Sequence, residues 1–147
     1  MKINHIILIA LAFIATTSAC RYPKWPEEFR WHSAGAIDGM TCTHIHESAD
    51  RTGTWHDNYF CAVSAPGIQG VGMRWSSAGP IAGMRCTYIV ERAEPLHTTW
   101  LDNYLCVPNN SPFHFSWSSA GPIKGKKCIR WYESADPHTW HDNYLCM

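Results

Sequence analysis

An eight-residue motif occurs three times in this chain of 147 residues, and it constrains the fold more than any other feature. The copies are TWHDNYFC at 54–61, TWLDNYLC at 99–106 and TWHDNYLC at 139–146. Each copy closes a longer repeat, and fifteen positions are identical in all three repeats. A repeat of this length predicts one supersecondary unit per copy, with the units packed against one another.

The three units span residues 29–72, 73–114 and 115–147. In each, a short alternating stretch (FRW, MRW or FSW) is followed by a turn rich in Gly, as in SAGPIAG. A second stretch (CTHIHE, CTYIVE or CIRWYE) is rich in β-branched and aromatic residues, and DNYLCV-like sequence closes the unit. No window shows a sustained 3.6-residue period. The sequence therefore predicts an all-β domain with three or four short strands per unit.

Three copies of such a unit predict a pseudo-three-fold domain. A β-trefoil-like fold is our first expectation and a β-prism is the alternative, since both use three units of about this length. The third unit lacks the segment that follows the last Cys of the other two, and residues 20–28 have a similar character. We expect this N-terminal segment to fill that place, because a closed array leaves fewer exposed sheet edges.

Six of the seven cysteines fall in the repeats, two in each unit. The simplest symmetric connectivity joins the two cysteines of each unit. A zinc site would need closely spaced Cys clusters, which the repeats lack. The sequence therefore predicts three disulfides that staple the domain: Cys42–Cys61, Cys86–Cys106 and Cys128–Cys146.

The first 19 residues have the pattern of a secretory signal peptide, with Lys2, an apolar run and small residues before Cys20. The sequence TSAC at 17–20 resembles the lipobox of bacterial lipoproteins, although Thr17 stands where that family usually has a larger aliphatic residue. The resemblance implies lipidation of the odd Cys20, with residues 20–28 as tether and closing segment. It also implies the cell envelope, at the outer membrane or surface. The alternative is plain cleavage after Ala19 and a secreted or periplasmic soluble protein.

Removal of those 19 residues from the 147 leaves 128, with 11 basic and 12 acidic side chains. This near-neutral balance argues against nucleic acid as a partner, because nucleic-acid binding needs a basic surface. It also argues against electrostatic adhesion to anionic lipid. We therefore expect contact with a membrane only through the N-terminal lipid.

The repeated W-x-D-N-Y cluster has the composition of a sugar site, with an aromatic face for the C–H face of a sugar and polar groups for its hydroxyls. Three copies predict a lectin-like module whose weak sites gain from avidity. The alternative is that the cluster is scaffold, because Asp and Asn also cap turns and aromatic residues fill cores. The aromatic member is the Trp of each copy or the following Tyr (Tyr59, Tyr104 or Tyr144). The candidate ligand residues are Trp55, Asp57, Asn58, Trp100, Asp102, Asn103, Trp140, Asp142 and Asn143.

No catalytic motif is recognised, and an enzyme usually needs one asymmetric site, whereas the repeated residues here are symmetric. No run of acidic residues resembles a calcium loop, and the pair His44 and His46 has no counterpart in the other units. We therefore expect no enzyme, no cofactor and no metal. The sequence favours a glycan-binding module, with a structural or protein-interaction envelope lipoprotein as the alternative.

Overall fold

A computed structural model describes residues 20–46, 57–90, 102–132 and 142–147. Within these ranges the chain is all-β and forms three antiparallel sheets of three strands, one sheet per unit. Each sheet has the same order, with the last strand of the unit in the middle. In the part of the chain described, no helix is long and apolar enough to cross a membrane.

The strands of the first sheet are β1 (Phe29–His32), β2 (Met40–His44) and β3 (Tyr59–Val63). Those of the second sheet are β4 (Arg74–Ser76), β5 (Met84–Tyr88) and β6 (Tyr104–Pro108). Those of the third sheet are β7 (Ser116–Ser118), β8 (Cys128–Arg130) and β9 (Tyr144–Cys146). All nine overlap stretches that the sequence predicts to be extended, although β2 and β5 begin two residues before the predicted start, at Met40 and Met84. In each unit the second strand ends before the predicted stretch does, and the residue that follows it is buried.

The three predicted disulfides are confirmed, and each joins two neighbouring strands of one sheet. The paired cysteines are direct partners in the strand register, with Cα atoms 4.0 to 4.1 Å apart. Each bond therefore fixes the register between the second and third strands of its unit. A one-residue slip would turn buried side chains to the opposite face of the sheet.

Each sheet contacts both of the others, through β2 with β4, β5 with β7, and β8 with β1. The indole N–H of the first-strand Trp crosses each of these boundaries and donates to a backbone carbonyl of the preceding unit. The pairs are Trp31 with Tyr132, Trp75 with His46, and Trp117 with Val90. Since the three acceptors occupy one repeat position, the bonds run around the molecule with three-fold regularity.

One repeat position contributes a core residue with no exposed surface in every unit, and we call this residue the central residue of its unit: Ile45, Ile89 and Trp131. Trp131 stands at the position where the other two units have the smaller Ile. The centroid of its ring lies 4.3 Å from that of Trp31 and 5.5 Å from that of Trp117. The core is therefore three-fold in its backbone but asymmetric in its side chains.

The N-terminal segment packs between the first and third units. Arg21 pairs with the backbone of residues 67 and 69, at N···O distances of 3.0 and 2.7 Å. Trp25 is buried against Phe29 and Phe115, and its indole N–H donates to the carbonyl of Lys127 at 2.9 Å. Residues 21–28 thus form part of the packed domain.

Candidate functional site

The Asp-Asn pair of the repeated motif sits at the start of the middle strand in each sheet, where the backbone makes two contacts. The Asp carbonyl accepts a hydrogen bond from the Gly of the preceding SAG turn, at 2.8 to 2.9 Å. That Gly has a φ between 90° and 97°, a conformation that other residues rarely adopt. The Asn carbonyl accepts from the N–H of the central residue of its unit, also at 2.8 to 2.9 Å. This backbone geometry accounts for part of the repetition.

The two side chains of each pair lie in opposite environments. The three asparagines have no exposed surface, whereas the three aspartates are exposed. A buried amide must be satisfied inside the protein, so the asparagines belong to the frame of the fold. The aspartates, which are Asp57, Asp102 and Asp142, remain accessible to a ligand.

Two residues after each Asp comes the Tyr that begins the middle strand, and this Tyr is partly exposed. In the strand register it is paired with the last residue of the second strand. We call the Asp, the Tyr and this cross-strand partner the sheet-end surface of a unit. The three surfaces are Asp57, Tyr59 and His44; Asp102, Tyr104 and Tyr88; and Asp142, Tyr144 and Arg130.

The aromatic groups of these surfaces contact one another. In the first unit the ring of His44 stacks on Tyr59 and on His46, with centroids 4.8 Å apart in both pairs. In the second unit the rings of Tyr88 and Tyr104 are 5.1 Å apart, and 39% of Tyr88 is exposed. Each of these two units therefore presents aromatic surface next to a carboxylate.

Partial burial raises the pKa of the Tyr88 hydroxyl, and the neighbouring Tyr104 and the charge of Asp102 raise it further. Tyr88 is therefore neutral and able to donate a hydrogen bond at physiological pH.

The third surface differs because its cross-strand partner is a cation. The guanidinium of Arg130 lies 5.3 Å from the centre of the Tyr132 ring, which is 42% exposed. The surfaces therefore share an Asp and a Tyr and differ in one neighbour. His44, Tyr88 and Arg130 carry no mark in the sequence as candidate ligand residues, because the strand register that pairs them with the Tyr is not visible in the repeat.

The predicted aromatic members Trp55, Trp100 and Trp140 lie outside the described residues. Cys20, the predicted lipidation site, is exposed and belongs to no disulfide. Among the described residues, no group of three or more His, Cys, Asp or Glu is arranged to hold a metal ion.

No protein-family model, curated protein or solved structure matches this chain.

Proposed function

We propose that this chain is a binding module of the bacterial cell envelope that recognises glycans through its three sheet-end surfaces. The observation that carries the proposal is the exposed Asp beside a partly exposed Tyr, at the same place in all three units. A carboxylate accepts hydrogen bonds from neighbouring sugar hydroxyls, and an aromatic ring packs on the C–H face of the sugar. Both groups stand on a frame of paired strands, which reduces the cost of ordering them on binding.

Three such surfaces on one domain favour a multivalent ligand. We expect weak individual affinity, with avidity for a repeating glycan that reaches more than one surface. The differing neighbours, His44, Tyr88 and Arg130, give the three surfaces related but unequal preferences.

For the architecture we propose a closed three-fold arrangement of the β-prism type in place of the β-trefoil type. In the described ranges every named strand pairs only with strands of its own unit. Three separate sheets support a prism, in which each unit supplies one face. Strand pairing between units would support the trefoil.

The glycan proposal is tested by an array screen of the purified protein, followed by calorimetry with the best-binding glycan. Asp102→Ala should reduce the number of monovalent ligands bound per protein from three to two and leave the fold intact. Asp38→Ala, which removes an exposed carboxylate far from the motif in sequence, is the matched control and should bind all three. Unchanged stoichiometry in Asp102→Ala, or no binding to any glycan, would favour an envelope protein with a structural or protein-binding role.

We also propose that Cys20 carries a lipid anchor. It is the odd cysteine, it is exposed, and it directly precedes the packed segment that begins at Arg21. Cys20→Ala should move the exported protein from the membrane fraction to the soluble fraction. If the unchanged protein is already soluble after export, the anchor does not exist.

A further inference from the structure

A cleft of about 330 Å³ opens at the boundary between the third and first units. Between the first and second units, a cavity lined in part by the matching residues Cys42, Thr43 and Met73 has a volume of about 80 Å³. The larger cleft has apolar groups from Pro26, Phe29 and Ile129, and aromatic groups from Trp31 and Tyr132. Its volume lies at the lower end of the range of small-molecule sites.

The side chain at position 129 distinguishes this boundary from the other two. At the matching position, the hydroxyls of Thr43 and Thr87 donate to backbone carbonyls of the following unit, at 3.2 and 3.1 Å. Ile129 has no hydroxyl, so this boundary lacks the corresponding bond. The cleft therefore lies where the three-fold pattern of hydrogen bonds is interrupted.

Two arginines are among the residues that line the cleft, Arg30 and Arg130. Arg30 donates from Nη1 to the carbonyls of Glu27 and Phe29, and Arg130 lies over the Tyr132 ring. In the described part of the chain neither guanidinium forms a salt bridge. Among the lining residues, Glu27 is the one carboxylate, and it is paired with Lys127 at 3.1 Å. The cleft consequently has an excess of positive charge.

The two arginines occur together only at this boundary. The positions that match Arg130 and Arg30 hold His44 and Arg74 between the first and second units, and Tyr88 and Ser116 between the second and third. The other two boundaries form without such an arginine pair. The pair is therefore not needed to maintain the three-fold scaffold.

We propose that this cleft is a binding site for an acidic sugar of about monosaccharide size. A carboxylate on the sugar would pair with the arginines, whose planar groups match carboxylate geometry. The sugar ring would pack against the exposed part of Tyr132 and against the apolar lining residues Phe29 and Ile129. Binding here does not require the three sheet-end surfaces to bind anything, although Arg130 borders both sites.

The test is titration of the purified protein with sodium glucuronate. Binding is measured by calorimetry and by the change in tryptophan fluorescence. Glucose at the same concentration is the neutral control, and acetate controls for the carboxylate alone. We expect one glucuronate per protein, with binding of glucose and of acetate at least about tenfold weaker, because each lacks one of the two recognised features.

Arg30→Ala and Arg130→Ala should each weaken glucuronate binding about tenfold or more, since each removes a charged donor from a carboxylate. Arg74→Ala removes the exposed arginine that matches Arg30 in the second unit and should bind glucuronate normally. Failure of glucuronate to bind, equal binding of glucose or acetate, or equal weakening by Arg74→Ala would overturn the proposal. Asp102→Ala should leave this binding unchanged, which separates the cleft from the sheet-end surfaces.

Discussion

The indole N–H of Trp31 in the first unit donates to the backbone carbonyl of Tyr132 in the third. Trp75 and Trp117 make the same bond to the units that precede them, so each unit is tied to its neighbour by one tryptophan. The first-strand tryptophan therefore holds the boundaries between units, whereas the disulfides act within them.

Replacement of Trp31 by Phe keeps an aromatic ring against Trp131 but removes the N–H. We expect the free energy of unfolding to fall by about 1–2 kcal/mol, from the lost hydrogen bond and the smaller ring. Trp117→Phe should lose a similar amount, since its bond to Val90 is equivalent. Denaturant titration of both variants measures this, and a loss well below 1 kcal/mol in both would mean that these bonds contribute little.

The environments of Asp102 and Asn103 predict opposite outcomes for neighbouring substitutions. Asn103→Ala removes a fully buried amide, and we expect a loss of about 1–3 kcal/mol in stability as its surroundings are left unsatisfied. Asp102→Ala changes an exposed side chain and should stay within about 0.5 kcal/mol of the parent protein. Thermal melts of the two variants show whether Asn103 stabilises the fold while Asp102 does not. Equal destabilisation of the two variants would mean that Asp102 also has a structural role.

Removal of one disulfide tests how the units are stabilised. The double variant with Cys86→Ala and Cys106→Ala lacks the disulfide that closes a loop with a sequence separation of 20 residues. Its unfolded chain therefore has more conformational entropy. We expect a loss of about 3 kcal/mol, the size that the chain-entropy model gives for such a loop. Cys20→Ala, which breaks no bond, is the control. Peptide mapping without reduction should find linked peptides only within units.

The N-terminal segment should contribute to the stability of the whole domain. Trp25→Ala empties a buried site between the first and third units, and we expect it to cost about 3–5 kcal/mol. Lys24→Ala, at an exposed position, should stay within about 0.5 kcal/mol. Deletion of residues 21–28 should be at least as damaging as Trp25→Ala. If the deletion variant has the same free energy of unfolding as the parent protein, the segment is only a tether and does not stabilise the domain.

The same segment predicts a pH effect. Glu28 accepts two hydrogen bonds from Arg21 at 2.7 Å and one from the backbone N–H of Lys24, and these lower its pKa from 4.5 to about 2. Because the folded-state pKa is depressed, this stabilisation is fully present above pH 4.5 and is lost as the pH falls through about 2. The difference in melting temperature between the parent and Glu28→Gln should therefore be constant near neutrality and shrink below pH 4.5. A difference that does not change between pH 7 and pH 2 would rule out the ion pair as its source.

The sequence predicts the β class, the three-fold repeat and the three disulfides because each leaves a local or periodic mark. It cannot separate Asp102 from Asn103, because two repeated polar neighbours look alike until one is buried. The partners of the strand-initiating tyrosines depend on register, which places Tyr88 beside Tyr104 across a gap of 16 positions. The cleft escapes prediction for another reason. It borders Ile129, at a position where the other two units have Thr. The repeats are recognised by the residues that they share, so a position at which one unit differs does not stand out.

A linear polypeptide can connect only two of the three boundaries in a ring of three units. The first and second units, and the second and third, are joined by peptide, so those neighbours stay close even when their contacts break. In the described ranges the third and first units are held together by non-covalent contacts, among them the hydrogen bonds of Trp25 and Trp31. We expect local opening to begin there, with amide hydrogen exchange fastest in β1 and β8, the strands that meet at that boundary. A ligand held across this boundary would then slow the step by which the ring opens.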